Sequence, residues 1–81
     1  MMRNIAKESS LTPDEVLGEA VAFFGPGGVG LAKTECGEGC LRFEGGGGYV
    51  QIQVTARGSG SQVEILEREW TFQVDNFLDE I

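Results

Sequence analysis

Apolar residues recur along this chain with two periods, helical near the start, alternating through the middle and helical again at the end. The first ten residues show neither period nor turn code and read as a flexible arm, residues 1–10, ahead of a single domain spanning 11–81. At Thr12-Pro13-Asp14-Glu15 the signals become dense. The Thr12 hydroxyl can accept from the Glu15 amide while the Glu15 carboxylate reaches back to the Thr12 amide, and Pro13 takes the first helical position, where its missing donor costs nothing. Leu11 and Val16 can close a hydrophobic staple across that entry. Val16, Leu17, Ala20, Val21, Phe23 and Phe24 then fall mostly on one helical face, until Gly25-Pro26 stops the helix with an expected left-handed cap.

From Leu31 the period drops to two. The expected strands are Leu31 to Cys36, Leu41 to Glu44, Tyr49 to Ala56 and Gln62 to about Trp70, joined by turns at Gly37-Glu38-Gly39, Gly45 to Gly48 and Gly58-Ser59-Gly60. Connections this short force antiparallel neighbours. In the third strand Val50, Ile52, Val54 and Ala56 face one way and Tyr49, Gln51, Gln53 and Thr55 the other, as in a sheet with one packed side and one wet side. The fourth is less regular, because Val63 and Ile65 differ in parity from Leu66, Trp70 and Phe72; a bulge near Ile65-Leu66 is one resolution. Val74, Phe77, Leu78 and Ile81 return to helical offsets, with acidic residues at the end that oppose the dipole and predict a frayed terminus. The predicted architecture is a two-layer α+β fold: an N-terminal helix, a four-stranded antiparallel meander and a short C-terminal helix.

Composition narrows the function classes. Thirteen Asp and Glu stand against six Lys and Arg in 81 residues, a formal charge of −7, and the cations Arg3, Lys7, Lys33, Arg42, Arg57 and Arg68 are scattered singly. Such a surface repels phosphate backbones, so no nucleic-acid partner is expected. With no histidine the chain builds no Ser-His-Asp or Cys-His relay and no histidine-containing zinc site. No catalytic residue, cofactor or metal is expected. Met1 to Ser10 never reaches an apolar run of the length a signal or anchor needs, so no membrane association is expected and the cytoplasm is the expected compartment.

Four motifs invite chemistry. Gly25-Pro26-Gly27-Gly28-Val29-Gly30 matches GxGxxG, but it leaves a helix and enters a strand, the reverse of the dinucleotide-binding context, and reads as a connection. Gly45 to Gly48 is either a loose hairpin loop or bulge at a crowded position, or else a flexible flap or a place where a partner's backbone comes close, with the first preferred. Cys36 and Cys40 form a C-x3-C without a second pair. A two-residue Gly37-Glu38 turn sets Thr34 opposite Leu41 and Ala32 opposite Phe43, with the thiols apart; a three-residue loop with Gly39 left-handed sets Cys36 opposite Cys40 and permits a disulfide. The first register is preferred for its burial and for a reducing compartment. Among the carboxylates, Glu67 and Glu69 share a strand face and Glu35, Glu44 and Glu64 are possible cross-strand neighbours; all read as solvated charges.

The aromatic residues carry the functional expectation. A Ser59-Gly60 turn pairs Ala56 with Val63, Val54 with Ile65, Gln53 with Leu66 and Tyr49 with Trp70, which gathers Tyr49, Leu66 and Trp70 into a contact patch on the outer face. The competing reading turns Leu66 and Trp70 into the core through the bulge. The helix beginning at Thr12-Pro13-Asp14-Glu15-Val16, the glycine-rich connection, the meander and the final helix together resemble a START-type lipid-binding domain cut down in length, over Leu11 to Ile81. That resemblance implies a small apolar ligand but carries over no site residue, and START-type domains use a longer chain to wrap their cavity. A meander followed by a helix is also similar to dimeric single-strand-binding coactivator domains, whose activity the −7 charge opposes. The expected role is a non-catalytic interaction module that self-associates through a sheet face, as a homo-oligomer or with a protein partner. The alternative is a START-like binder of a small apolar ligand between Phe23, Phe24, Phe43 and the sheet, formed between two subunits because one small core leaves no room for a private pocket.

Overall fold

The computed structural model describes residues 2–81. It contains β1 (Met2–Ser9), α1 (Pro13–Phe24), β2 (Ala32–Gly37), β3 (Cys40–Gly45), β4 (Gly48–Arg57), β5 (Gly60–Arg68) and α2 (Thr71–Glu80). All strand pairs are antiparallel, in the order β1-β5-β4-β3-β2, so the expected meander from β2 to β5 gains a fifth strand on its far side. The fold is α+β. It begins with a strand rather than a helix, and the segment read as a flexible arm pairs with β5 from Met2↔Arg68 to Ser9↔Ser61.

The reason β1 lacks a hydrophobic alternation is visible in its inward residues. Arg3, Ile5, Lys7 and Ser9 face the helix side, and three of those four are polar because they bind α2 instead of filling a core. Arg3 Nη2 donates to the Thr71 carbonyl (3.1 Å) and the Asp75 carboxylate (3.0 Å), Lys7 Nζ donates to the Leu78 carbonyl, and Ser9 Oγ donates to the Ile81 carbonyl (2.8 Å). The expected fraying at the acidic C-terminus is thereby countered, since Lys7 and Ser9 supply the donors and the charge that α2 lacks in its own last turn.

The N-terminal helix forms as its entry signal dictates, with both capping-box hydrogen bonds present: Glu15 N to Thr12 Oγ1 (3.3 Å) and Thr12 N to Glu15 Oε1 (2.9 Å). Its exit differs from expectation. Gly25 is extended (φ −77°), and the last carbonyls are satisfied by the connection folding back, Val29 N to Phe23 O and Leu31 N to Phe24 O, both at 2.8 Å. The glycine-rich motif therefore spends its amides on the negative end of a helix. Val16, Ala20 and Phe24 from α1 meet Phe43, Val50, Ile52, Val63 and Ile65 from the sheet and Val74 and Phe77 from α2, all buried. Both helices lie on one face, and no helix is long and apolar enough to cross a membrane among the described residues.

The hairpin registers correct the sequence reading twice. Between β4 and β5, Arg57↔Gly60 closes a Gly58-Ser59 turn, so Val54 faces Val63 rather than Ile65, and β5 runs without a bulge from Gly60 to Arg68. The shift is by two residues, so the inward and outward sets are unchanged. Between β2 and β3, Glu35↔Leu41 and Lys33↔Phe43 replace the preferred pairing, with an irregularity at Cys36, Gly39 at φ +70°, and Cys36 and Cys40 joined by a disulfide across a Cα separation of 5.1 Å. The preferred register would have matched Ala32 and Thr34 to the core face; in the structure no helix covers β2, so no burial was available there to favour it. The bridge also departs from the free thiols expected of a reducing compartment.

Two outcomes follow. Denaturation without reductant should expose no titratable thiol and with reductant two; two thiols in the absence of reductant would refute the bridge. Thr12→Ala should cost about 1 kcal/mol in chemical denaturation, the usual loss of an N-cap.

Candidate functional site

Layering both helices on one side leaves the other face of the sheet open. Strand alternation and register place Asn4 and Ala6 of β1, Glu64, Leu66 and Arg68 of β5, Tyr49, Gln51 and Gln53 of β4, and Arg42 and Glu44 of β3 on it. Gln51 lies opposite Leu66, which lies opposite Asn4, and Tyr49 lies opposite Arg68, so Tyr49 and Leu66 are diagonal neighbours. Both are half-buried. The Arg42 guanidinium stacks 4.2 Å from the centre of the Tyr49 ring, donates from Nη1 to Gln51 Oε1 (2.9 Å) and pairs through Nε with Glu44. Stacking and pairing together hold that ring in place. A shallow depression of about 170 Å³ opens between Asn4, Gln51, Gln53, Glu64 and Leu66.

Trp70 stands apart from this face. β5 ends at Arg68, Glu69 turns the chain with φ +74°, and Trp70 becomes the residue that opens α2, so it never reaches a strand position opposite Tyr49. Its indole Nε1 donates to the Gly45 carbonyl (3.0 Å) and its ring lies over the β3–β4 turn, packed against the edge of the core. The four glycines form that turn tightly: Gly46 and Gly47 take φ +60° and +83° between the paired Gly45 and Gly48, the geometry of a two-residue hairpin. A Cβ on Gly46 would stand 2.8 Å from the Trp70 ring, and one on Gly48 would stand 2.1 Å from the Arg68 carbonyl oxygen. Close approach of Trp70 and Arg68 calls for glycine there, as at a crowded hairpin.

The other expected ligand contacts are occupied by one another. Phe24 and Phe43 are fully buried and Phe23 partly so, with ring centres 5.0 Å apart for Phe23–Phe24, 5.5 Å for Phe24–Phe43 and 5.1 Å for Phe24–Phe77. That is a packed aromatic cluster. Open space lies elsewhere, in a cleft of about 410 Å³ between the start of α1, the β2–β3 turn and the end of β4, lined by Leu17, Val54 and Ala56 together with Asp14 and Glu38.

One carboxylate departs from the solvated reading of the acids. Glu67 shares the inward parity of Val63 and Ile65 and is 0% exposed. Its Oε1 accepts from Arg3 Nε (2.7 Å) and Thr71 Oγ1 (3.0 Å), and its Oε2 accepts from the Trp70 amide (3.3 Å). Burial opposes the charge on Arg3, but its hydrogen bonds to Glu67 and Asp75 and their charges outweigh it, so the Arg3 pKa is raised. Every bond Glu67 makes is internal, which marks it as a structural tie. Sequence parity alone gives its inward position once β5 runs without a bulge. Glu69, expected on the same face, leaves it through its positive φ. No group of three or more His, Cys, Asp or Glu side chains is arranged to hold a metal among the described residues.

Comparison of the chain with protein-family models, with curated proteins and with solved structures gives no match in any of the three.

Arg3→Met leaves Glu67 buried without its cation and should cost about 2 kcal/mol, below a fully broken buried pair because Thr71 and the Trp70 amide remain. Arg57→Met removes an exposed pair with Glu8 and should cost less than about 1 kcal/mol. Equal losses in urea titrations of the two variants would contradict the structural role of Glu67.

Proposed function

We propose that the chain is a small non-catalytic interaction module that self-associates through the open face of its sheet. The observation that carries this is the makeup of the face centre: half-buried Tyr49 and Leu66 among the amides of Asn4, Gln51 and Gln53. Side-chain amides both donate and accept, so a two-fold copy of the same surface satisfies them, while Tyr49 and Leu66 supply the apolar area. Size favours the same reading, because a core of this order supplies roughly 3–5 kcal/mol and pairing is a common supplement. A second copy is the partner this surface suits, and a different protein with a polar sheet face is the other.

Phe23, Phe24 and Phe43 pack on one another within the chain and lend no support to a START-like pocket between them, whereas the cleft beside α1 supports a ligand reading at another place. Its floor of Leu17, Val54 and Ala56 under Asp14 and Glu38 suits a small apolar molecule with a basic group. Native mass spectrometry of freshly purified protein separates the readings, through a co-purifying small molecule on the one hand and a doubled mass on the other.

Leu66→Glu places a charge at the centre of the face. It should shift sedimentation equilibrium toward monomer with a loss of affinity of at least ~10-fold, since each substitution counts twice across a two-fold axis, and leave the far-ultraviolet circular dichroism unchanged. A wild-type chain that stays monomeric at high micromolar concentration, with undiminished stability, would sink the proposal.

A further inference from the structure

The sheet is open at its edges as well as on its face, and the β2 edge has a property independent of the face. β2 pairs only with β3, every residue from Ala32 to Gly37 is exposed, and no helix covers it. Exposed edges of this kind are templates for strand addition unless charge or covering blocks them. Here the charges alternate in sign along one side: Lys33 and Glu35 both point to the helix side, flanking Thr34. Neither makes an ion pair or a side-chain hydrogen bond among the described residues, whereas Arg3, Arg42 and Arg57 all do.

We infer that the free edge of β2 pairs antiparallel with the same edge of a second copy, in the register centred on Thr34. Two copies related by a two-fold axis perpendicular to the sheet must oppose residues of like parity, so only registers centred on a residue are available. Centring on Thr34 sets Lys33 of each copy opposite Glu35 of the other, and Ala32 opposite Cys36. Centring on Lys33 or on Glu35 sets like charges face to face, which is unfavourable across strands. The edge is thus self-complementary in one register and self-repelling in the two beside it. The opposite edge offers no equivalent: in no like-parity register of β1 against itself does a cation face a carboxylate, because Arg3 and Lys7 share one parity and Glu8 has the other. The same two cations are already held by α2.

The product is a continuous ten-stranded sheet, twice the five strands of one chain, with both helix layers on one side and two open faces side by side on the other. The disulfide between Cys36 and Cys40 sits at the end of this edge and ties β2 to β3, so the strand offered to the partner is held in place beforehand. One strand pair is small as interfaces go, and association in roughly the micromolar range is expected.

Charge exchange tests this without disturbing the fold, since both side chains are exposed. The measurements are made by sedimentation equilibrium in the Leu66→Glu background, where contact through the open face is disabled. Lys33→Glu alone and Glu35→Lys alone each place two like pairs across the axis and should weaken self-association at least ~10-fold. Mixing the two variants sets each glutamate opposite a lysine and should restore a heterodimer. The double variant Lys33→Glu/Glu35→Lys should restore the homodimer at unchanged net charge. Association that ignores the exchanges, or single-variant losses that mixing does not recover, overturns the edge pairing. A chain that dimerises as wild type but is monomeric in the Leu66→Glu background also overturns it, and leaves the face reading standing; a wild type whose assembly is no larger and no tighter than the charge-sensitive dimer of the Leu66→Glu variant removes the face and keeps the edge.

Discussion

The Glu67 carboxylate is held at the point where β5 gives way to α2, and the arrangement of the chain ends depends on it. A fully buried carboxylate is costly unless its charge and lone pairs are met. Arg3 meets the charge from β1, while Thr71 and the Trp70 amide complete the hydrogen bonding from the start of α2. The first strand, the last strand and the last helix are therefore fastened at one acid. Since Trp70 and Thr71 open α2 without a side-chain cap of their own, Glu67 also does the work that an N-cap residue does elsewhere. Lys7 and Ser9 repeat the arrangement at the other end of the helix, so α2 is suspended between two polar ties supplied by one strand.

This division of labour explains the shape of the core. α1 brings an apolar stripe and packs by burial, whereas the contact between α2 and β1 is largely ionic and hydrogen-bonded. The helix layer lies over β3, β4, β5 and β1 and stops short of β2, which keeps exposed side chains on both faces. What remains uncovered includes one polar sheet face and the fully exposed edge strand β2. The aromatic residues that suggested a pocket are consumed by the core: Phe23, Phe24 and Phe43 fill space with Phe77.

Much of this was legible in the residues. Thr12 to Glu15 announced the helix start, the parity of Val50, Ile52 and Val54 gave the buried side of β4, and the spacing of Val74 and Phe77 gave the buried side of α2. The outward positions of Tyr49 and Leu66 survived a wrong register because a slip of two preserves the faces. β1 was not legible. Its inward positions are filled by Arg3, Lys7 and Ser9, and a pattern search reads such a strand as a tail because its partner is a helix more than sixty residues away. The place of Trp70, core or surface, was not legible for a related reason: the end of β5 is set by the positive φ of Glu69 and the hydrogen bond to Glu67, neither of which leaves a periodic trace.

Local chemistry in the chain was enough to specify where helices start, which strand faces are apolar and where it turns, because capping, alternation and glycine conformations act over a few residues. The glycines of 45–48 marked a hairpin from their composition, yet their number has its reason in the Trp70 ring and the Arg68 carbonyl that press on them from a distant part of the sequence. The same holds for the carboxylates, of which the residues showed thirteen alike and the fold buried Glu67. Which acid is a tie and which a solvated charge, and which strand edge is left free, are consequences of contacts between segments far apart along the chain, and those contacts exist only once the layers have closed.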